Sequence, residues 1–212
     1  MTKDDVARAI RRAGIIAIVR TDSPEQALDL AEACIAGGVT VLEVALTTPG
    51  GLEVITTLQQ RHAGKVLIGA GTVLNAETVH RAVDAGAQFI LSPGFDAGMV
   101  RACTERGVVS IPGAMTPSEV IAAAEAGADI VKIFPAEALG PHYIAALRGP
   151  LPNIAMMPTG GVTLENLGSW FRYGAVAVGV GGSMTEPAKY GNYAGVTANA
   201  TAFVGRMAGI QR

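Results

Sequence analysis

Apolar residues along this chain gather into short runs that recur at a nearly constant interval. The runs occupy residues 15–20, 40–46, 66–69, 88–91, 108–111, 129–134, 154–157 and 175–180, each of buried-strand length. A glycine precedes each one: Gly14, Gly38, Gly64, Gly86, Gly107, Gly127, Gly149 and Gly174, spaced 24, 26, 22, 21, 20, 22 and 25 residues apart. Seven of these close a helix-like segment and lead quickly into the next run; Gly149 does so through a Pro-rich loop. Glycine just past a helix end tolerates the left-handed conformation that terminates the helix. Several intervening segments open with helix-start chemistry. Ser23-Pro24-Glu25, Asn75-Ala76-Glu77, Thr116-Pro117-Ser118-Glu119 and Thr163-Leu164-Glu165 each set a capping residue before a carboxylate or proline.

Strands that alternate with helices of this length predict a parallel sheet, and eight near-equal units predict closure into a single (β/α)8 TIM barrel spanning residues 1–212. A doubly wound open sheet is the competing fold. It usually carries a glycine-rich first turn, and the turn here, Arg20-Thr21-Asp22-Ser23-Pro24, has no glycine. Residues 1–13 read as an extra N-terminal amphipathic helix covering the bottom of the barrel.

Composition narrows the classes. Half of the 212 residues are apolar and 16% are charged, which excludes a disordered chain. A net charge of −2 offers no global field for nucleic acid or an anionic membrane. No apolar run approaches the roughly 20 residues of a membrane span, and the start lacks signal-peptide features. Cys34 and Cys103 read as small core residues without a disulfide. The expectation is a soluble cytoplasmic protein.

Function in such barrels sits at the C-terminal ends of the strands. The residues there are Arg20, Glu43 followed by Thr47, Thr72, Ser92-Pro93, Pro112, Lys132, Thr159 and Ser183. Alternation puts Lys132 on one face with Ile130 and Phe134, and Val131 and Ile133 on the other. A lysine in apolar surroundings gives up its charge more readily, and the neutral amine is a nucleophile for carbonyls. A structural ion pair or a snorkelling side chain is the plain alternative. Glu43, inside an apolar strand, is either a proton carrier or the partner of Lys132 in a structural salt bridge. Pro158-Thr159-Gly160-Gly161 and Gly179-Val180-Gly181-Gly182-Ser183 occupy the two loops where these barrels hold phosphate through backbone N–H groups; glycines serving only the tight turns of a short barrel are the plain alternative. Arg20 is either a carboxylate or phosphate clamp or one half of a rim salt bridge. His62, His80 and His142 read as surface residues without ligand spacing, so no metal is expected.

These residues also carry a family likeness. Leu42-Glu43-Val44, Gly69-Ala70-Gly71-Thr72-Val73, Ser92-Pro93-Gly94, Ile111-Pro112-Gly113 with Thr116-Pro117-Ser118-Glu119, Lys132-Ile133-Phe134-Pro135-Ala136-Glu137, Pro158-Thr159-Gly160-Gly161 and Gly181-Gly182-Ser183 resemble the motifs of class I KDPG/KHG aldolases. Those enzymes act on 2-keto-3-deoxy-6-phosphogluconate and 4-hydroxy-2-oxoglutarate. The resemblance implies a homotrimeric (β/α)8 lyase without a cofactor. It implies Lys132 as the Schiff-base residue, Glu43 as general acid/base and Thr159 as positioning the imine. It places Thr72 and the Pro93 loop around the pyruvyl group, Phe134 among the substrate-binding residues, and Gly160, Gly161, Gly182 and Ser183 around a phosphate.

One departure stands out. Many relatives carry arginine four residues after the glutamate, where this chain has Thr47. Arg20 can bring a guanidinium to the same place from the neighbouring strand, as in a branch that includes enzymes for the galactonate epimer. Met184 stands where some relatives have tryptophan. The expected activity is therefore aldol cleavage of a phosphorylated keto acid, gluconate or galactonate in configuration. A sugar-phosphate epimerase or isomerase, with Glu43 as base and Lys132 as a clamp, and a non-catalytic metabolite-binding barrel are the other readings.

Overall fold

Helices and strands alternate along most of the described chain, residues 1–210 of the computed structural model. In order they are α1 (Lys3–Ala13), β1 (Ile15–Val19), α2 (Pro24–Ala36), β2 (Val41–Ala45), α3 (Gly51–His62), β3 (Leu67–Gly71), α4 (Ala76–Asp84), β4 (Phe89–Leu91) and α5 (Ala97–Arg106). Then come β5 (Val109–Ile111), β6 (Gly113–Ala114), α6 (Pro117–Glu125), β7 (Val131–Ile133), α7 (His142–Arg148), β8 (Met156–Pro158), α8 (Leu167–Arg172), β9 (Val178–Val180), α9 (Gly182–Thr185) and α10 (Tyr193–Ala208).

All strand pairs are parallel. One sheet runs β5-β4-β3-β2-β1-β9 and the other β6-β7-β8. A bridge between Thr159 and Gly179 joins β8 to β9. On the far side β5 and β6 are one run of chain broken at Pro112, which has no N–H to give to a ladder. The expected eight strands thus appear as nine segments of a curled, (β/α)8-like sheet.

Alternation along each strand divides the core in two. Ile16, Val41, Leu67, Phe89, Leu91, Val109, Ile111, Ile130, Met157 and Ala177 fill the inside. Ala17, Val19, Leu42, Val44, Val131 and Ile133 pack outward against the helices. The expected N-terminal helix is α1, and its Val6 and Ile10 join the inner group as a plug at the bottom. Thr2 accepts from the Asp5 N–H while the Asp5 carboxylate accepts from Thr2, a reciprocal cap on the first turn. Lys3 pairs with Asp129 at 3.0 Å, fastening the helix to the start of β7. Full burial of Ile10 contributes about 2–3 kcal/mol.

Seven of the eight repeating glycines have positive φ, as a helix-ending glycine should; Gly149, at φ −51°, does not. Ser23, Asn75 and Thr116 cap α2, α4 and α6 as expected. Thr163 does not start a helix. Its Oγ1 accepts from the Asn166 N–H and its own N–H donates to Asn166 Oδ1, closing a turn, so α8 begins only at Leu167. Two histidines are less exposed than expected. His62 lies part-buried at 3.0 Å from Glu32, and His80 approaches Arg106 at 3.5 Å.

Candidate active site

Glu43 projects from the middle of β2 on its inner face and is 1% exposed. The space it needs comes from β3. A Cβ on Gly71 would collide with Glu43 Oε1, so the Gly-Ala-Gly sequence of that strand is a requirement of the carboxylate beside it. Lys132 faces inward from β7, 5% exposed, with Nζ 4.9 Å from the Phe134 ring centroid. Counting β5 and β6 as one position, β2 and β7 stand on opposite sides of the ring. Among the described residues neither Glu43 nor Lys132 belongs to an ion pair, so the structural salt bridge weighed above does not form.

Thr159 directly follows β8, 4% exposed, anchored through its N–H to Ile133 O at 3.0 Å and through its carbonyl to Ala136 N–H at 2.9 Å. Glu43 Oε2 and Thr159 Oγ1 are buried with no protein hydrogen-bond partner. Leaving such an atom unsatisfied costs about 1–3 kcal/mol, so both retain capacity for a bound molecule at the price of stability. Thr72, just past β3, has φ +59°, and is the one non-glycine with positive φ among the described residues. Arg20, past β1, donates from Nη2 to Thr72 Oγ1 at 3.3 Å. Pro93 follows buried Ser92, whose Oγ accepts from the Gly94 N–H, and its carbonyl packs on Gly113.

Thr47 lies exposed in the turn after β2 and lines a cleft of about 470 Å³ between that turn and α4. Its neighbour Thr48, which sequence reasoning passed over, is 2% exposed and accepts from the Thr21 N–H at 3.2 Å. That bond ties the turn carrying Arg20 to the turn after β2.

Gly160 and Gly161 have φ +100° and +68°, a conformation that a side chain would strain, and Glu137 lies against both. Asn166 Nδ2 donates to the Gly161 carbonyl at 2.7 Å, holding the loop from its other side. Gly182 and Ser183 begin the short α9, where first-turn N–H groups lack helical partners. The Ser183 hydroxyl donates to Val162 O, so this residue offers a ligand its N–H rather than its hydroxyl proton.

A second cleft, about 480 Å³, opens at the bottom of the sheet between α1 and α10, far from these residues. Among the described residues no group of three or more His, Cys, Asp and Glu is placed to hold a metal.

A family model described as KDPG and KHG aldolase matches residues 6–199. The 2-dehydro-3-deoxy-phosphogluconate aldolase of Treponema pallidum is 39% identical over 197 residues, 91% of this chain and 93% of that protein. The 2-dehydro-3-deoxy-6-phosphogalactonate aldolase of Escherichia coli is 39% identical over 171 residues, 80% of this chain and 83% of the other. Among solved structures, KDPG aldolase from Legionella pneumophila, with pyruvate captured at low pH as a covalent carbinolamine intermediate, superimposes with a TM-score of 0.85. It is 33% identical, over 92% of this chain and 97% of that one.

Proposed function

Because the chain belongs to the KDPG and KHG aldolase family and is a carbon–carbon lyase, we propose that it cleaves 2-keto-3-deoxy-6-phosphogluconate to pyruvate and glyceraldehyde 3-phosphate through a Schiff base on Lys132. One observation carries the assignment. Lys132 is a buried amine without a carboxylate partner, facing the barrel interior near the C-terminal end of its strand.

The deprotonated Lys132 amine adds to the C2 carbonyl, and loss of water from the carbinolamine gives a protonated imine. Glu43 delivers and removes protons in this step. Glu43, as the carboxylate, then takes the C4 hydroxyl proton and C3–C4 breaks as the aldehyde carbonyl forms. The bonding pair passes into the imine to give the enamine of pyruvate, and the aldehyde leaves. Glu43 returns a proton to C3, and hydrolysis of the imine frees pyruvate and the lysine. Thr159 orients the imine; Thr72, Pro93 and Phe134 surround the pyruvyl group; Arg20 takes its carboxylate, supplying the guanidinium that many relatives carry where this chain has Thr47. Backbone N–H groups of Gly160, Gly161, Gly182 and Ser183 hold the phosphate, and that remote binding orients the reacting bond.

The galactonate epimer is the second reading, favoured by the arginine at position 20, a feature that this chain shares with the family branch that includes galactonate enzymes. Cleavage of 4-hydroxy-2-oxoglutarate to pyruvate and glyoxylate follows from the same chemistry. We place the enzyme in the cytoplasm as a homotrimer, the assembly that the family resemblance implies. No helix among the described residues is long and apolar enough to cross a membrane.

Borohydride reduction in the presence of pyruvate, followed by peptide mass mapping, tests the assignment. A reduced pyruvyl adduct on Lys132, absent from Lys132→Ala, is expected. Folded protein that traps no pyruvate removes the Schiff-base mechanism.

A further inference from the structure

Glu137 lies in the 3-10 turn Ala136–Ala138 that follows β7. Its Cα and Cβ pack on Gly161, and its Oε2 lies against Gly160. The loop beneath is pinned, by the Ala136 N–H to the Thr159 carbonyl and by Asn166 to the Gly161 carbonyl. Glu137 is exposed, and among the described residues its carboxylate makes no hydrogen bond or ion pair. A negative charge is therefore held on the loop assigned above to a phosphate. An anion bound to the N–H of Gly160 or Gly161 lies about 3 Å from that nitrogen. The two negative groups then stand inside a Debye length of about 8 Å, too close for salt to screen fully.

We propose that Glu137 sets the affinity of the phosphate loop, a like charge that limits how tightly the mouth holds phosphate. The inference rests on the phosphate reading of the Gly160 and Gly161 loop. Its benefit falls on product release. Once C3–C4 breaks, the phosphorylated aldehyde is held without a covalent tether, whereas the substrate is tethered from the moment Lys132 adds to C2 until that bond breaks. Weakening the phosphate contact by one factor loosens the product and leaves the tethered substrate in place.

Titration of inorganic phosphate by calorimetry into the wild type, Glu137→Gln and Glu137→Ala tests this. Both variants are expected to bind phosphate about tenfold more tightly at low salt, with the gap narrowing as salt rises. The inhibition constant of the phosphorylated aldehyde product falls in step. Equal or weaker binding in both variants overturns the inference while wild-type phosphate binding leaves the loop assignment standing. A gain confined to the Gln variant reports an added amide donor and likewise overturns it. If no form of the protein binds phosphate, the loop assignment and the inference fall together.

Discussion

The Arg20 guanidinium reaches past β2 to donate to the hydroxyl of Thr72, 3.3 Å away on the far side of Glu43's strand. Its acceptor is a β-branched residue at φ +59°, a conformation costing about 1–3 kcal/mol that persists only where surrounding contacts impose it. The pair presents a guanidinium and a hydroxyl together at the rim beside the buried carboxylate.

Replacing Thr72 with glycine separates the strain from the chemistry. Relief of the left-handed conformation outweighs the roughly 0.5–1 kcal/mol by which glycine loosens the unfolded chain, so the melting temperature holds or rises. Loss of the hydroxyl lowers kcat/KM at least about tenfold. A variant that melts several degrees lower shows that Thr72 is not strained in the folded protein.

Arg20→Ala is expected to raise KM for the keto acid by about ten- to a hundredfold, the worth of a charge-assisted hydrogen bond of about 1.5–3 kcal/mol. The second change Thr47→Arg, which moves the guanidinium to the turn after β2, is expected to recover part of that loss. Steady-state kinetics of the single and double variants decide; an unchanged KM in Arg20→Ala removes the clamp role.

Glu43→Gln keeps the shape of the side chain and removes its proton chemistry. Turnover is expected to fall about 10²–10⁴-fold, while slow borohydride trapping of pyruvate on Lys132 persists. Normal turnover assigns the proton transfers elsewhere.

Acid stability follows from carboxylates held below their ordinary range. The Thr2 hydroxyl and N–H draw Asp5 down to about 2. Backbone N–H groups of Met115 and Thr116 lower Glu119. Burial raises Glu32, but bonds from His62 and Arg61 outweigh it and leave it lowered. A depressed folded-state value means stability present above the unfolded value and lost as pH falls through the folded one. The melting temperature is expected to decline steadily from about pH 5 towards pH 2. Glu119→Gln flattens part of that decline, and a variant with an unaltered acid profile excludes the α6 cap as a contributor.

Burial pushes the Cys34 and Cys103 thiols up to about 12. Both stay protonated and unreactive at pH 8, so a thiol reagent is expected to label neither until denaturant is added. Rapid labelling of the native protein contradicts their place in the core.

Much of this was readable in the bare sequence because period-2 alternation assigns strand faces without coordinates. Lys132 falls on the face of Ile130, and Ile130 belongs to the inner core. Glu43 was locatable for the same reason, two places from Val41. The break at Pro112 was visible as a proline but not as a seam, because its effect depends on which neighbour needs the missing N–H. The left-handed Thr72 had no local signature, since a threonine there is imposed by tertiary contacts. Thr48 was hidden by its setting; turn residues are usually exposed, and its burial arises from the turn carrying Arg20. Thr163 misled because it does cap a turn, one that stops short of the helix.

The fastening of α1 bears on the order of assembly. Its anchors are far along the chain: Lys3 holds Asp129, and Val6 and Ile10 share a core with residues as distant as Ala177. A helix synthesised ahead of every strand therefore has only part of its docking surface, at β1, until the distant strands have been made. Such long-separation contacts raise contact order and slow folding. The apolar stripe of α1 must meanwhile stay solvated or find a wrong partner, which makes this helix the natural point of failure in refolding at high protein concentration.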